Sequence, residues 1–180
     1  MEVSDDRSLI TAFRSGDEAA FDEIVDKYHK MIFGLCWRML GSVENAEDAT
    51  QQVFINVFRK ADKFKGKSSF KTWLYSVAIN ECRNRIRKFR KYRFSELDNN
   101  TPAETEGIDE KLGTKQQKEM IRRGIERLPF KQRAVVNLRI NEELPFREIA
   151  SVLGSSVNSA KVNFQHGLNS LKEMIKGDLK

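Results

Sequence analysis

Cysteine is scarce: Cys36 and Cys82 are the only two in 180 residues, and neither sits in a paired or metal-ligand spacing. That excludes a disulfide framework and fits a reducing compartment. The two histidines, His29 and His166, fall in no ligand or nucleophile arrangement. A glycine-rich phosphate loop is missing, and Asp5-Asp6 is too short to signal a paired-metal site. Glu47-Asp48 is better explained as the acidic start of a helix. Together these absences argue against autonomous catalysis, a cofactor or a bound metal. No apolar run approaches the length needed to cross a bilayer, and the first residues lack the basic-then-apolar layout of a secretory signal. There is no internal repeat and no convincing strand. Val135-Val136-Asn137-Leu138 has strand propensity, but its surroundings keep helical period.

What is present is positive charge, unevenly placed. The formal net charge is +6, and the excess concentrates between Arg59 and Arg93, where only Asp62 and Glu81 oppose it. A basic balance raises the prior for a polyanionic partner, and its concentration in one segment is the stronger sign. With 39% hydrophobic and 32% charged residues the chain can fold, though around small cores.

The periodicity is helical throughout. Leu9, Ile10, Ala12 and Phe13 form a short apolar cluster from about Ser8, broken at Ser15-Gly16-Asp17. From Glu18, apolar residues from Phe21 to Cys36 recur at three and four, one face of a helix ending at Gly41-Ser42. Ser42 is placed to cap the next helix, which carries Ala46, Ala49, Val53, Val57 and Ala61 on one side and Asp48, Gln51, Gln52 and Ile55 on the other. After a turn at Lys65-Gly66-Lys67-Ser68, Ser68 or Ser69 can cap a helix containing Phe70, Trp73, Leu74, Val77, Ala78 and Cys82. Residues 8–93 thus read as one helical domain. Residues 94–115 read as a flexible acidic linker, with a breaker cluster at Asn99-Asn100-Thr101-Pro102 and carboxylates from Glu96 to Glu110. Residues 116–176 read as a second, four-helix domain. There Leu128-Pro129 closes one helix, Ala134, Val135, Leu138 and Ile140 are the apolar positions of the next, and Pro145 opens a short third. Ala160, Phe164, Leu168, Leu171 and Ile175 line the last. The fold class is all-α, two small helical domains.

Two segments carry chemistry. Helix, Gly154 turn, then Ser156 as cap of a longer helix is the layout of a helix-turn-helix that reads duplex DNA. It would offer Asn158, Ser159, Lys161, Val162, Asn163 and Gln165 to base edges or phosphates. A plain helical hairpin with a polar surface has the same pattern. In the first domain, Lys63, Lys65, Lys67 and Lys71 surround Phe64, Phe70 and Trp73, with Arg83, Arg87, Arg90 and Lys91 farther on. Aromatic rings stack on unpaired bases while the charges hold the backbone. Core packing competes for these rings, above all for Phe70, and a protein-binding basic patch is the other reading.

The chain resembles the extracytoplasmic-function group of bacterial sigma factors, within the sigma-70 family. The stretches that carry the resemblance run from Ala46 to Phe54, Phe64 to Asn80, Leu128 to Val135 and Phe146 to Gly154. The resemblance implies sigma regions 2 and 4 and a dissociable RNA polymerase subunit that confers promoter specificity in a stress response. It implies docking of Asp48, Gln51, Gln52 and Phe54 on the clamp helices of the largest polymerase subunit. Phe64, Lys67, Lys71 and Trp73 would open and capture the minus-ten element, with Asn80, Arg83, Asn84 and Arg87 on its upstream part. The helix-turn-helix, with Ser156, would read the minus-thirty-five element and rest on the polymerase flap. Many relatives have a more arginine-rich recognition helix, so fewer charge-assisted contacts and a preference for A·T-containing sites are expected here. Only Gly177-Asp178-Leu179-Lys180 follows the second domain, so regulation is expected from outside the chain; the resemblance implies a cytoplasmic protein and an anti-sigma protein able to hold it near the inner membrane. A free-standing DNA-binding regulator and a polymerase-binding adaptor are the alternatives; the Asp48-to-Phe54 and Phe64-to-Trp73 segments favour the sigma reading, because a conventional regulator needs neither.

Overall fold

A computed structural model of the chain describes residues 5–95 and 114–178. The helices run α1 Asp6–Arg14, α2 Glu18–Leu40, α3 Val43–Lys60, α4 Phe70–Ser95, α5 Thr114–Arg127, α6 Phe130–Ile140, α7 Phe146–Leu153 and α8 Val157–Asp178. A single 3₁₀ turn at Ala61–Lys63 follows α3, and no strand occurs among the described residues. The Val135–Leu138 stretch is helical, within α6.

Local chemistry sets the boundaries. The Ser15-Gly16-Asp17 break ends in a cap, with Asp17 accepting from the Ala19 amide at 3.1 Å. Gly41 ends α2 in the left-handed conformation, at φ +74°, its amide donating to Trp37 O at 2.8 Å. Ser42 then caps α3 through the Asn45 amide. Ser69, rather than Ser68, caps α4, accepting from the Thr72 amide at 3.0 Å. α4 continues to Ser95 and α5 begins at Thr114, so helix overlaps the two ends of the expected linker. The acidic run from Glu96 to Glu110 lies outside the described residues.

α2 is the central post. Ile32, Leu35, Cys36 and Met39 are completely buried, packed by α1, α3 and α4. Burying one such side chain stabilises by roughly 1.5–3 kcal/mol, and Leu35→Ala would cost about 2–5 kcal/mol with the cavity included. Cys36 and Cys82 meet here: hydrogen bonding with Cys36 and then burial push the Cys82 thiol well above its ordinary range, so it stays protonated.

The sequence suggested small separate cores, but one continuous buried cluster runs from Leu9 on α1 to Ala160 on α8, taking in Leu138, Ile149 and Val152. A satellite core of Leu128, Val136 and Leu171 fixes α5, α6 and α8 together. Ile140 is a correction: it ends α6 with 52% of its surface exposed, while Val136 and Asn137 are buried instead.

The two helical units meet along α4·α7, α2·α5 and α2·α6. Glu142, in the turn between α6 and α7, accepts from both Arg38 of α2 and Tyr75 of α4. Thr72 donates to Glu148 of α7 at 2.6 Å, and Arg133 of α6 donates to Met39 O at 2.8 Å. Burial and then the Glu142 hydrogen bond push the Tyr75 hydroxyl above the usual phenol range, so it remains a donor.

Candidate functional site

Three surfaces hold the residues singled out from the sequence. The first is the outer face of α3. Gln51 and Phe54 line an open, largely apolar groove of about 640 Å³ between α2 and α3, with Phe21, Val25, Ile55 and Phe58. Phe54 is 6% exposed and stacks nearly parallel to the His29 ring at 6.2 Å, so it forms groove wall and core at once. Ile55 and Phe58 are the more exposed apolar groups. Phe58 rests on Phe13 and Phe21, with ring centroids 5.1 Å apart in each pair. Asp48 and Gln52 do not line the groove: Asp48 lies 3.5 Å from Arg85 of α4, and Gln52 reaches Asn56. The four residues expected to act together therefore split into two pairs. Phe21 and Val25 stand on the apolar face that the spacing along α2 predicts, but their joining Phe58 in one groove has no one-dimensional signature. The available hint was an apolar residue, Ile55, on the polar side of α3.

The second surface surrounds the turn before α4. Phe64, Phe70 and Trp73 form a closed trio of rings with centroids 5.5–5.6 Å apart. Phe70 is buried, whereas Phe64 and Trp73 are half-buried. Edge-on and tilted ring pairs of this kind stabilise one another by about 0.5–1.5 kcal/mol each. The turn is held from below by Arg14 of α1, whose guanidinium donates to Ala61 O at 2.9 Å and to Phe64 O. Lys67 and Lys71 are exposed, and the Lys71 ammonium stands 5.8 Å from the Tyr75 ring centre. Farther along α4, Asn80, Asn84 and Arg87 are exposed. Arg83 is not free: it donates to Asn80 at 3.2 Å and stacks over Phe130 of α6 at 5.2 Å.

The third surface is the helix-turn-helix of α7 and α8. Gly154 reverses the chain at φ +59°, and Ser156 Oγ accepts from the Ser159 amide at 3.0 Å, as its spacing predicts. Phe164 anchors α8 edge-on against Phe146, with centroids 5.5 Å apart. Asn158, Lys161, Val162 and Gln165 stand exposed. His166 and Asn169, unselected from the sequence, join Lys161, Val162 and Gln165 along a shallow groove at the i+4 and i+8 spacing of one helix face. Asn163 is turned away, its amide donating back to Ser159 O at 2.8 Å, and both residues are half-buried. Such back-bonding takes one of the two amide N–H donors and holds the amide against its own helix.

Among the described residues there is no group of three or more His, Cys, Asp or Glu able to hold a metal, and no helix long and apolar enough to cross a membrane.

The pattern defining Sigma-70 region 2 matches residues 24–92, and that of Sigma-70 region 4 matches residues 118–171. The ECF RNA polymerase sigma factor SigW of Bacillus subtilis is 32% identical over 94% of this chain and 96% of its own. The RNA polymerase sigma-H factor of Pseudomonas aeruginosa is 30% identical, covering 87% and 86% respectively. In three dimensions the fold is similar to CnrH in complex with the cytosolic domain of CnrY, at TM-score 0.69 and 20% identity over 96% of this chain and 98% of that one. It is also similar to the sigma factor RpoE of Bartonella quintana, solved with the anti-sigma factor NepR, at TM-score 0.73 and 18% identity over 87% and 96%. With both regions in order and a relative at that identity along almost its whole length, the chain belongs to the extracytoplasmic-function group of sigma-70 factors, which give RNA polymerase its promoter specificity.

Proposed function

We propose that residues 8–93 dock on core polymerase and open the minus-ten element, that 116–176 read the minus-thirty-five element, and that 94–115 thread between them. The apolar groove beside Gln51 and Phe54 carries this division of labour, because a free-standing DNA-binding regulator has no use for it. A clamp helix of the largest subunit seats there, with Ile55 and Phe58 as apolar anchors and Asp48 and Gln52 as the polar rim. Phe64, Lys67, Lys71 and Trp73 capture the displaced strand. Asn80, Asn84 and Arg87 contact the upstream part, and Arg83 joins them once released from Phe130. Asn158, Lys161, Val162 and Gln165 face the minus-thirty-five bases from a helix held by Ser156, flanked by Ser159 and Asn163, while the domain rests on the flap. The acidic residues of the connecting segment occupy a nucleic-acid channel of the enzyme without binding DNA. The protein is a non-catalytic cytoplasmic subunit, and an anti-sigma protein restrains it, near the inner membrane if that partner is anchored there.

Run-off transcription with purified core polymerase tests the reading. Promoter-specific transcripts should appear only when this protein is added. Tight duplex binding without core, and no transcript with it, would instead make the chain a conventional regulator. Core binding without promoter-specific transcripts would make it an adaptor.

A further inference from the structure

α8 has a back and a front. Ala160, Gly167 and Leu171 are buried, and Gly167 presses so closely on α6 that a Cβ there would lie 2.8 Å from Val136 Cγ2. Away from that seam, Val162, Gln165 and Asn169 share the shallow groove with Lys161 and His166. Successive residues of an α-helix turn by about 100°, so Lys161 and His166, five apart, diverge by about 140°. Val162, Gln165 and Asn169 fall in the sector between them. The front of α8 therefore carries two amides and an aliphatic group at its centre and one nitrogen base on each edge.

A helix lying in a major groove about 12 Å wide turns its centre to the base edges and its flanks to the two phosphate walls. Lys161 brings a fixed charge to one wall. His166 faces the other, and an imidazole becomes a cation only as pH falls through the range of about 8 to 5. The protein itself offers this imidazole no counter-charge. No carboxylate lines the groove, and His166 makes no hydrogen bond or ion pair among the described residues. Of the helices packed on α8, α6 sets Gln132 and Val136 against Gly167, α7 sets Phe146 against Phe164, and α5 sets Gly124 against Leu171. Their carboxylates are engaged elsewhere, Glu148 with Thr72, and Glu119 and Glu126 with Arg122. Arg133 donates to Met39 O and to the Glu126 and Leu128 carbonyls, and Arg139 stacks on Phe146. Arg127, Lys131, Arg147 and Lys172 are exposed cations, and Glu173 pairs with Lys176.

A duplex phosphate supplies the anion that this face lacks. In the free chain the charge of Lys161 opposes a second cation on α8. Against DNA, an opposite charge within about 4–6 Å favours the protonated form. Binding then takes up a proton, so affinity rises as pH falls through the imidazole range, and the gain is lost as pH rises through it.

We propose that His166 is a proton-dependent clamp on the phosphate wall opposite Lys161, so that the minus-thirty-five element is held more tightly in mild acid. The clamp rests on the proposal above that α8 lies on that element.

The test measures promoter binding by assembled holoenzyme at pH 6, 7 and 8, each over a series of salt concentrations. Wild type, His166→Gln, His166→Lys and Lys161→Ala are compared at each pH, so that titrations elsewhere in the polymerase cancel in the ratios. At pH 6 wild type should bind about three- to tenfold more tightly than His166→Gln, with a salt slope steeper by about 0.9, the worth of one phosphate contact. At pH 8 the two should match. His166→Lys carries its charge at every pH and should keep the tight binding and the steep slope throughout. His166 is exposed, and circular dichroism checks that each variant keeps its helicity. A ratio of wild type to His166→Gln that is the same at pH 6 and pH 8 would overturn the clamp. So would a changed base preference with no change in salt slope, which would turn His166 from the backbone to a base. Lys161→Ala separates the two levels of the proposal. If it lowers affinity while the His166→Gln ratio ignores pH, the clamp alone falls. If neither substitution alters affinity or salt slope at any pH, α8 is not on the DNA and the minus-thirty-five reading falls with it.

Discussion

Two aliphatic side chains two positions apart on α3 separate folding from docking. Val53 is fully buried, while Ile55 is 37% exposed and lines the groove. Val53→Ala removes two methyl-sized groups, roughly 1.6 kcal/mol of transfer free energy, and the residual cavity brings the loss to about 2–3 kcal/mol. For a chain of this size that lowers Tm by about 5–10 °C. Ile55→Ala removes more carbon from a partly solvated site and gains the better helix propensity of alanine, so its stability loss is about 1 kcal/mol. If Ile55 is an interface anchor, truncation weakens core binding by about 1–2 kcal/mol, or five- to thirtyfold. Thermal melting followed by circular dichroism gives the first quantity, and fluorescence anisotropy with core polymerase, at a temperature where both variants are folded, gives the second. The variants should rank in opposite orders in the two assays. Wild-type core affinity for Ile55→Ala, or an equal affinity loss for folded Val53→Ala, would refute the groove as the docking surface.

Phe64→Ala should lower open-complex formation about five- to hundredfold, the worth of one stacked base, and equal losses on duplex and on promoter unpaired at minus-ten would assign the ring to strand capture. Rescue by premelting would instead assign it to duplex opening, and no loss on either template, with the fold intact, would remove Phe64 from the site. Lys161→Ala should reduce the salt slope of promoter binding by about 1, whereas Gln165→Ala should relax preference at one minus-thirty-five position by about 1–3 kcal/mol; binding series with assembled holoenzyme over single-base promoter variants read both. Asn163→Ala should leave the base-preference profile unchanged in that series, since its amide is committed to Ser159 O. Burial and then the hydrogen bond to Asp6 push the Tyr28 hydroxyl above the ordinary phenol value of 10.0, so its contribution to stability is full below about pH 10 and declines as pH rises beyond it. Melting curves from pH 9 to 11 should therefore fall less steeply for Tyr28→Phe than for the wild type.

What could be read from the sequence was what is local. The three-and-four spacing along α2, the cap at Ser42 and the Gly154-to-Ser156 turn each depend on residues within one or two turns, and each appears where its pattern places it. The misses are relations between elements. Phe21 and Phe58 lie far apart in sequence and become one groove only when α2 packs on α3. Ile140 keeps helical period but sits at the last residue of α6, where about half its surface stays in solvent, while polar Asn137 goes inside because Met39 and the Arg133 carbonyl meet its amide. Arg83 belongs to the basic stripe in one dimension and to an inter-unit stack in three. Asn163 offers the right chemistry for a base, and its spacing to Ser159 turns that chemistry inward.

Arg14 belongs to α1, ahead of the residues that match the region 2 pattern, yet its guanidinium fixes the carbonyls of Ala61 and Phe64. The turn that leads into the aromatic trio is thus tied down by a nine-residue helix that carries none of the proposed partner-contacting residues. Affinity tags or truncations that fray this helix would blunt promoter melting and, by removing Phe13 from beneath Phe21 and Phe58, weaken polymerase docking as well, while leaving minus-thirty-five reading intact. A preparation altered only at its amino terminus would then keep its minus-thirty-five preference and fail at the first step of transcription.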